Sequence, residues 1–177
     1  MIGRRQDRRR SVPAAAAAAD GSDWPAYLLA FHAMRPGITD DVLEHALDPH
    51  GLTAYDWAAE AVPLGGSVLD LACGSGPLYR RLRPRAYVGL DLSSAELAVA
   101  ADLGVPVVRA DAARLPLADA GMAAVVASMA LMLLPLPATL TEVRRVLRPG
   151  GIFVATVPRG ARYRWRIGFG TPGCIWR

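Results

Sequence analysis

A glycine-rich turn and three acidic residues are the parts of this sequence best suited to chemistry. Residues 70–76 (DLACGSG) combine an acid with two glycines, so backbone N–H groups there can approach a ligand closely. Asp91 lies 15 residues after Gly76, and its carboxylate can accept hydrogen bonds from both hydroxyls of a ribose. Together with Asp111 the pattern predicts a nucleoside site, although each acid alone is equally typical of a turn or a helix cap.

The elements that must position these acids follow from short apolar runs that alternate with helical segments. That rhythm is typical of the α/β fold class, in which helices cover both faces of a parallel sheet. Five strands are predicted, at residues 68–72, 87–92, 107–110, 123–129 and 152–157. A helix at 77–83 follows the first strand. A capping box formed by Ser93 and Glu96 predicts the start of a second helix, and Thr139 is expected to cap a third, which Pro149 ends. The three acids then share the carboxyl edge, where open α/β sheets bind ligands.

The preceding residues 23–62 have the periodicity of helices. A first helix is predicted from an apolar stripe formed by Trp24, Tyr27, Leu28 and Phe31. Thr39 and Thr53 are expected to cap the two helices that follow. We expect this region to form a lid that shapes a substrate pocket, or else simply to pack on the sheet. Its apolar contacts with a substrate would come from Trp24, Tyr27, Phe31 and Met34.

Three side chains of this predicted lid are chemically able to act as a general base, namely His32, Tyr27 and Tyr55. Each is more typical of an ordinary core or surface aromatic residue. The sequence alone therefore assigns no catalytic residue.

The distribution of charge argues against a nucleic-acid partner, despite a formal net charge of +4. Residues 1–10 carry +4 and residues 159–177 carry +5, which leaves −5 on the 148 residues between them. The body of the chain is therefore acidic. Residues 120–141 carry no charge, but prolines interrupt them, so a buried strand followed by a loop is favoured over a membrane span.

Cysteine content and the first residues favour a cytoplasmic location. Two cysteines, Cys73 and Cys174, are too few for a disulfide scaffold. Residues 1–22 contain paired arginines and an alanine run but no apolar export core, and are predicted to be a disordered basic tail. The length of 177 residues, 53% of them hydrophobic, suits one compact domain.

Five segments between residues 63 and 158 resemble class I S-adenosylmethionine-dependent methyltransferases in their order and spacing. They are VLDLACGSG at 68–76, VGLDLS at 88–93, ADA at 110–112, LPL at 115–117 and VLRPGG at 146–151. The chain is most similar to the branch typified by ubiquinone and menaquinone methyltransferases. The resemblance implies a Rossmann-like domain, S-adenosylmethionine as cofactor, and methyl transfer to a small molecule, which depends mainly on in-line positioning.

The resemblance also implies roles for individual residues at the cofactor. The methionine half would be lined by Asp70, Ala72, Gly74 and Gly76. Asp91 would bind the ribose, and Leu92 would pack on the adenine. Asp111 would accept a hydrogen bond from the adenine amino group, with Ala112 beside it.

Near the reactive methyl group the chain departs from the family. Ser128 and Met129 would lie closest to that group, at the end of the fourth strand. The histidines that frequently follow this strand in the family are replaced by Leu131 and Met132, and the usual first glycine of the turn is Ala72. Cofactor binding is expected to survive these changes more easily than catalysis, and no metal is implied.

The largest departure from the family lies after Pro158, which only 19 residues follow. The family continues with a helix and an antiparallel strand pair, and we expect those elements to be missing. Residues 159–177 would form an irregular basic tail, leaving a sheet edge open to self-association. The composition changes abruptly after Val157, so a shifted reading frame and a genuine short variant both stay open.

Three other classes of function remain as alternatives. The first is a truncated chain that binds the cofactor without catalysis, or an inactive remnant. A nicotinamide-dependent oxidoreductase shares the sheet and the ribose acid, but its turn requires a third glycine where this chain has Tyr79. A nucleic-acid methyltransferase is disfavoured by the acidic body of the chain. The identity of the methyl acceptor does not follow from the sequence.

Overall fold

The computed structural model describes residues 24–82, 86–158 and 175–176, and these form an α/β fold. The helices are α1 (Trp24–Met34), α2 (Ile38–Leu43), α3 (Ala54–Ala61), α4 (Leu78–Leu82), α5 (Ser94–Asp102) and α6 (Leu136–Val146). The strands are β1 (Ser67–Leu71), β2 (Ala86–Asp91), β3 (Val107–Arg109), β4 (Met122–Ser128), β5 (Leu147–Thr156) and β6 (Ile175–Trp176). The first four predicted strands are confirmed to within one residue at each end, and the fifth begins earlier than predicted.

The sheet has the strand order β3-β2-β1-β4-β5-β6, and β1 to β5 run parallel. The chain builds from β1 outwards to β3 and then crosses over to add β4 and β5 on the other side. Asp70 lies in register with Gly89 on one neighbouring strand and with Val126 on the other. The strand order therefore reverses between β1 and β4, and ligands of open α/β sheets bind at the carboxyl edge of such a reversal.

Successive residues of the central strands supply apolar cores on opposite faces of the sheet. On one face Val68 packs in a cluster with Ala58 of α3 and Leu82 of α4. On the other face Leu69 shares a cluster with Val146 of α6. Strands that are apolar on both faces are typical of a parallel sheet covered by two helical layers. The predicted Rossmann-like architecture is therefore confirmed.

The N-terminal helices pack against the sheet domain, with α3 against α4 and α1 against α5. The predicted cap at Thr53 is confirmed, because its hydroxyl accepts the backbone N–H of Asp56 and the Asp56 carboxylate accepts the N–H of Thr53 at 2.9 Å. The predicted cap at Thr39 is wrong. Helix α2 already begins at Ile38, and Gly37, with a φ of 78°, occupies the N-cap position.

Of the two other capping predictions, the helix start at Ser93 is confirmed, and the one at Thr139 is wrong. The Ser93 hydroxyl does accept the N–H of Glu96, at 3.4 Å, but the Glu96 carboxylate turns away towards α1. Thr139 lies inside α6, where it is fully buried, because that helix starts three residues earlier. Pro149 does not end α6. Strand β5 follows the helix directly at Leu147 and contains this proline.

The uncharged segment 120–141 forms β4, a 3-10 turn at Leu131–Leu133 and the first half of α6, as the buried-strand interpretation predicts. Within the described ranges, no helix combines the length and apolar character needed to traverse a bilayer.

The outer edge of β5 is partly covered. Strand β6 pairs with it in antiparallel orientation over two residues. The prediction of a wholly irregular tail is therefore wrong at these residues, and part of the edge expected to be open is paired. The predictions for residues 1–22 and 159–174 lie outside the described part of the chain.

Candidate functional site

A cleft of about 260 Å³ lies at the carboxyl edge of the sheet, beside the reversal between β1 and β4. It is lined by most of the residues for which the family resemblance implied roles at the cofactor or the reactive methyl group, namely Asp70, Ala72, Gly74, Asp91, Leu92, Asp111, Ala112, Ser128 and Met129. These residues come from the ends of β1, β2 and β4 and from the turn after β3. The convergence expected from the strand order is therefore present in the structure.

Gly76 is the one predicted cofactor residue that does not line the cleft. Its φ is 81°, and a Cβ placed there would lie 3.0 Å from both methyl carbons of Val105. The absence of a side chain at this position thus lets the turn pack against the segment between α5 and β3. Gly76 shapes the turn and stays away from the space that a ligand would fill.

The glycine turn has a left-handed backbone at Ala72 and Gly74, with φ of 56° and 54°. Glycine adopts this conformation freely, whereas alanine does so at a cost of about 1 kcal/mol. Ala72, which replaces the usual glycine, therefore carries some of the strain of the turn. The N–H of Gly74 is directed at the neighbouring strand end, where it donates to Oδ2 of Asp91 at 2.9 Å.

The carboxylate of Asp91 is held in place from two sides. Besides the Gly74 bond, its Oδ1 accepts the N–H of Ser93 at 2.8 Å. Each carboxylate oxygen can accept a further hydrogen bond, so Asp91 can still receive two ribose hydroxyls. Asp111 is more exposed, and its Oδ1 accepts the N–H of Ala113 at 2.8 Å.

Asp70 is the most deeply buried acid of the cleft, with 2% of its surface exposed. The hydroxyl of Tyr87 donates to its Oδ2 at 2.6 Å. Burial raises the pKa of Asp70 to about 7, opposed by the Tyr87 hydrogen bond and reinforced by the charges of Asp40 and Asp91. A cation bound nearby would favour the ionised form of this carboxyl group.

A carboxylate that the sequence analysis missed, Asp40 of α2, ties the lid to the glycine turn. Its Oδ1 accepts the Tyr55 hydroxyl at 2.5 Å, and its Oδ2 accepts the hydroxyl of Ser75. Burial raises the pKa of Asp40, while these two hydrogen bonds oppose the rise. Tyr55 is engaged by this contact, and burial raises its pKa, so it is poorly suited to act as a base.

Glu96 is the second acid of the cleft that the sequence analysis missed, because it was expected only to complete a capping box with Ser93. It is 3% exposed, and its Oε1 lies 2.7 Å from Nδ1 of His32 on α1. Its Oε2 accepts the N–H of Gly37 at 2.9 Å. No local sequence signal indicated these contacts, because they join positions 59 and 64 residues apart.

A large part of the cleft lining is apolar. It is formed by Leu28 and Leu29 of α1, by Met129, and by the segment Leu133, Leu134 and Pro135. The face of α1 predicted to contact a substrate is therefore corrected, because Tyr27, Phe31 and Met34 do not line the cleft. The rings of Tyr27 and Phe31 stack with their centroids 6.4 Å apart, and the side chain of Met34 is 58% exposed. The side chain of Trp24 lies outside the described part of the chain.

Comparison with known proteins gives consistent results. Residues 69–155 match the family described as "Methyltransferase domain". A fatty-acid O-methyltransferase from Mycolicibacterium smegmatis is 40% identical over 114 residues, covering 59% of this chain and 42% of that protein. A phthiotriol/phenolphthiotriol dimycocerosates methyltransferase from Mycobacterium ulcerans is 35% identical over 148 residues, covering 77% and 54%. The chain thus spans about half the length, or less, of these relatives.

A solved structure extends the likeness to the fold. A putative S-adenosylmethionine-dependent methyltransferase from Methanococcus maripaludis superposes with a TM-score of 0.60 at 19% sequence identity. The superposition covers 70% of this chain and 62% of that one. At this identity the match concerns the arrangement of helices and strands.

Proposed function

We propose that this chain, whose residues 69–155 match the family described as "Methyltransferase domain", is a class I S-adenosylmethionine-dependent methyltransferase that transfers a methyl group to a small apolar molecule. The observation that carries the proposal is the shared cleft, which joins the glycine turn and Asp91 to an apolar wall. One part of that cleft suits the charged cofactor with its nucleoside, and the other part suits an apolar methyl acceptor.

The charges of the cleft fit the cationic cofactor. S-adenosylmethionine carries a sulfonium, an ammonium and a carboxylate group, so its net charge is positive. Five acids line the cleft, namely Asp40, Asp70, Asp91, Glu96 and Asp111, whereas His32 is the one basic side chain among the described residues that line it. A carboxylate that already accepts a backbone N–H, such as Asp91, is preorganised to accept further hydrogen bonds. The residues present therefore fit this group.

The chain's contribution to catalysis would be positioning. When bound, the cofactor supplies an activated methyl group, which needs no covalent help from the protein. Asp91 and the turn at Gly74 would fix the nucleoside end, while Leu28 and Leu133 would hold an acceptor against it and exclude water. Ser128 and Met129 also line the cleft, and we expect the reacting atoms to meet beside them.

An acceptor with a long apolar part is the substrate class best supported. The two relatives described above are named for fatty acids and for phthiotriol dimycocerosates. The leucine wall of this cleft offers contact for such a chain. Ubiquinone-like acceptors, suggested by sequence resemblance alone, stay a prediction.

The free, buried thiol of Cys73 is compatible with a reducing compartment, and the cytoplasm stays our proposed location.

Calorimetric titration tests the proposal most directly. The full chain is titrated with S-adenosylmethionine, with its demethylated product and, separately, with a nicotinamide dinucleotide. We expect saturable 1:1 binding of the first two, at about micromolar dissociation constants, and none of the third. Binding of the dinucleotide alone would overturn the proposal in favour of an oxidoreductase, and binding of none would favour the non-catalytic alternative.

A transfer assay then tests the substrate class. Methyl-labelled S-adenosylmethionine is incubated with alkylphenols, alkanols and fatty acids of increasing chain length. We expect the rate at low acceptor concentration to rise with chain length, because each buried methylene contributes about 0.8 kcal/mol. Equal rates for short and long acceptors would contradict an apolar acceptor pocket.

A further inference from the structure

The pair formed by His32 and Glu96 faces the cleft, yet the positioning mechanism does not use it. Glu96 is 3% exposed and approaches only Nδ1 of the imidazole ring. Among the described residues, no hydrogen bond to the other ring nitrogen of His32 is present. His32 itself lines the cleft together with the leucines of α1 and with Ser128.

A buried carboxylate beside one imidazole nitrogen decides which nitrogen carries the proton. Glu96 is an acceptor when ionised, so the neutral imidazole keeps its proton on Nδ1 and presents a lone pair on Nε2. The same carboxylate stabilises the imidazolium that forms when Nε2 takes up a proton. Such a carboxylate–histidine arrangement is suited to general base catalysis.

We propose that His32 accepts the proton of a hydroxyl acceptor during methyl transfer. Glu96 positions the imidazole ring of His32 and stabilises its protonated form. This inference rests on the proposed methyltransferase function and narrows its substrate to alcohols or phenols. The hydroxyl oxygen forms a bond to the methyl carbon while the carbon–sulfur bond breaks and its electron pair stays on sulfur. The hydroxyl proton moves to Nε2 of His32 and afterwards to solvent.

The charge of the cleft favours a neutral acceptor over a carboxylic acid. Asp40, Asp91 and Glu96 all act on His32 through their charge, and no arginine is among the described residues that line the cleft. An ionised fatty acid would therefore meet like charges, and among the side chains described as lining the cleft only His32 could offset them, in addition to the sulfonium of the bound cofactor. A hydroxyl group carries no such penalty, but it must lose its proton on becoming an ether, and His32 can receive it.

The charged groups around His32 also set the pH at which it can work. The pKa of His32 is raised, first by the hydrogen bond to Glu96, against the effect of burial, with smaller contributions from the charges of Glu96, Asp91 and Asp40. A base must be unprotonated to act. The rate of transfer to a hydroxyl acceptor is therefore expected to rise as the pH increases through the pKa of His32 and then to level off.

The test compares two His-to-Gln variants of the full chain. His32→Gln keeps a side chain able to donate to Glu96 but removes the base. His50→Gln is the matched control, because His50 is exposed and its side chain lies outside the cleft. Binding of S-adenosylmethionine is measured by calorimetry, and single-turnover transfer to a 4-alkylphenol is measured with the cofactor saturating.

We expect His32→Gln to bind the cofactor within about threefold of the parent but to transfer methyl groups about 100-fold more slowly, as typical for loss of a general base. Its rate should no longer rise with pH, whereas His50→Gln keeps both the rate and the rise. A His32→Gln variant that transfers at the parent's rate, or that keeps the same pH dependence, overturns the inference. Loss of cofactor binding by the unmutated chain would instead contradict the proposed function itself.

The pH profile of the unmutated chain is a second test that does not depend on any variant folding. If the acceptor were a carboxylic acid, protonated His32 would help to bind it, and the rate with a matching fatty acid would fall as the pH rises. We expect the opposite trend, with the alkylphenol as the faster substrate. A faster reaction with the fatty acid, declining towards high pH, would overturn the assignment of His32 as the base.

Discussion

The two sides of the cleft are built on different physical principles. On the β1 to β3 side, strand ends present carboxylates, of which Asp70 and Asp91 are held by hydrogen bonds from neighbouring groups. On the β4 side, the strand ends in Ser128 and is followed by an apolar segment that contains Leu133. The first side can recognise charge and hydrogen-bond geometry, while the second can recognise little beyond shape and hydrophobicity.

Two sides of this kind would allow one cleft to bind a constant ligand and a variable one. Carboxylates fixed by backbone N–H groups discriminate strongly, because a mismatched partner leaves a charge without compensation. Apolar walls tolerate many molecules of similar size. We therefore expect substitutions on the acidic side to change the affinity for the cofactor or its pH dependence, and those on the apolar side to change only the acceptor preference.

The largest effect is expected from Asp91→Asn. The neutral amide would lack the charge that strengthens the hydrogen bonds to the ribose hydroxyls. Its NH2 group would also replace one of the two oxygens that accept the N–H groups of Gly74 and Ser93, so one of these hydrogen bonds would be lost. We expect affinity for S-adenosylmethionine to fall about 100-fold in calorimetry, since hydrogen bonds to a charged group contribute about 1.5–3 kcal/mol.

Asp102→Asn is the matched control for this prediction, because that acid is exposed at the end of α5 and lies outside the cleft. It should leave affinity unchanged. If Asp91→Asn also bound the cofactor as tightly as the parent, the acidic side would have no special role in recognition.

The next effect concerns the turn that presents the acidic side. Gly76→Ala combines a left-handed φ of 81° with a Cβ 3.0 Å from two methyl carbons of Val105, so both strain and overpacking arise. We expect the free energy of unfolding to fall by about 2–3 kcal/mol in urea denaturation. Gly104→Ala isolates the strain, since its φ is 73° with no atom within 4 Å, and should cost only about 1 kcal/mol. Equal costs for the two variants would show that the contact with Val105 is unimportant.

The acidic side was predictable from sequence because its signals are local. Parallel strands share a carboxyl edge, so the residues that end them converge whatever the packing details. Asp91 and Asp111 could therefore be placed from strand ends alone, and the segment order made Ser128 predictable from the resemblance. Gly76 was expected at the cofactor but does not line the cleft, and a glycine needed for backbone conformation has the same sequence signature as one that approaches a ligand.

The lid was predicted less well because its contacts are long-range. The apolar stripe predicted correctly that α1 packs against the domain. Most residues of this helix are apolar, however, so the sequence does not show which of its faces lines the cleft. Leu28 and Leu29 line it in place of Phe31. Glu96 matched a capping box, but its carboxylate instead bonds a helix 59 or more residues away. Capping signals identify candidates, and tertiary packing decides which of them are used.

On the apolar side, Leu133→Asn is expected to separate acceptor binding from cofactor binding. Leu133 lines the cleft without being part of the main cores, so the fold should tolerate a polar side chain there. We expect KM for a 4-alkylphenol to rise about tenfold, through lost apolar contact, with cofactor affinity within twofold. Leu140→Asn, at a partly exposed position of α6 outside the cleft, is the control. A parallel loss of cofactor affinity would contradict the division of the cleft into two sides.

The smallest expected effect is a proton released when the cofactor binds near neutral pH. The pKa of Asp70 is about 7 because the carboxyl group is buried, so a fraction of free chains carries a proton there. The cationic cofactor stabilises the ionised form, which lowers that pKa in the complex. The free protein then holds more protons than the complex, and affinity should rise severalfold between about pH 6 and pH 8.

Calorimetry in two buffers that differ in ionisation enthalpy measures this proton directly. The apparent binding heats at pH 7 should differ between phosphate and Tris for the parent and agree for Asp70→Asn, which has no proton to lose. The same raised pKa makes the free protein less stable as the pH rises from about 4 to about 7, because the folded state binds the proton more tightly than the unfolded one. Asp70→Asn should flatten that decline as well. Identical heats in both buffers for the parent would mean that recognition on the acidic side is complete without any change in the charge of Asp70.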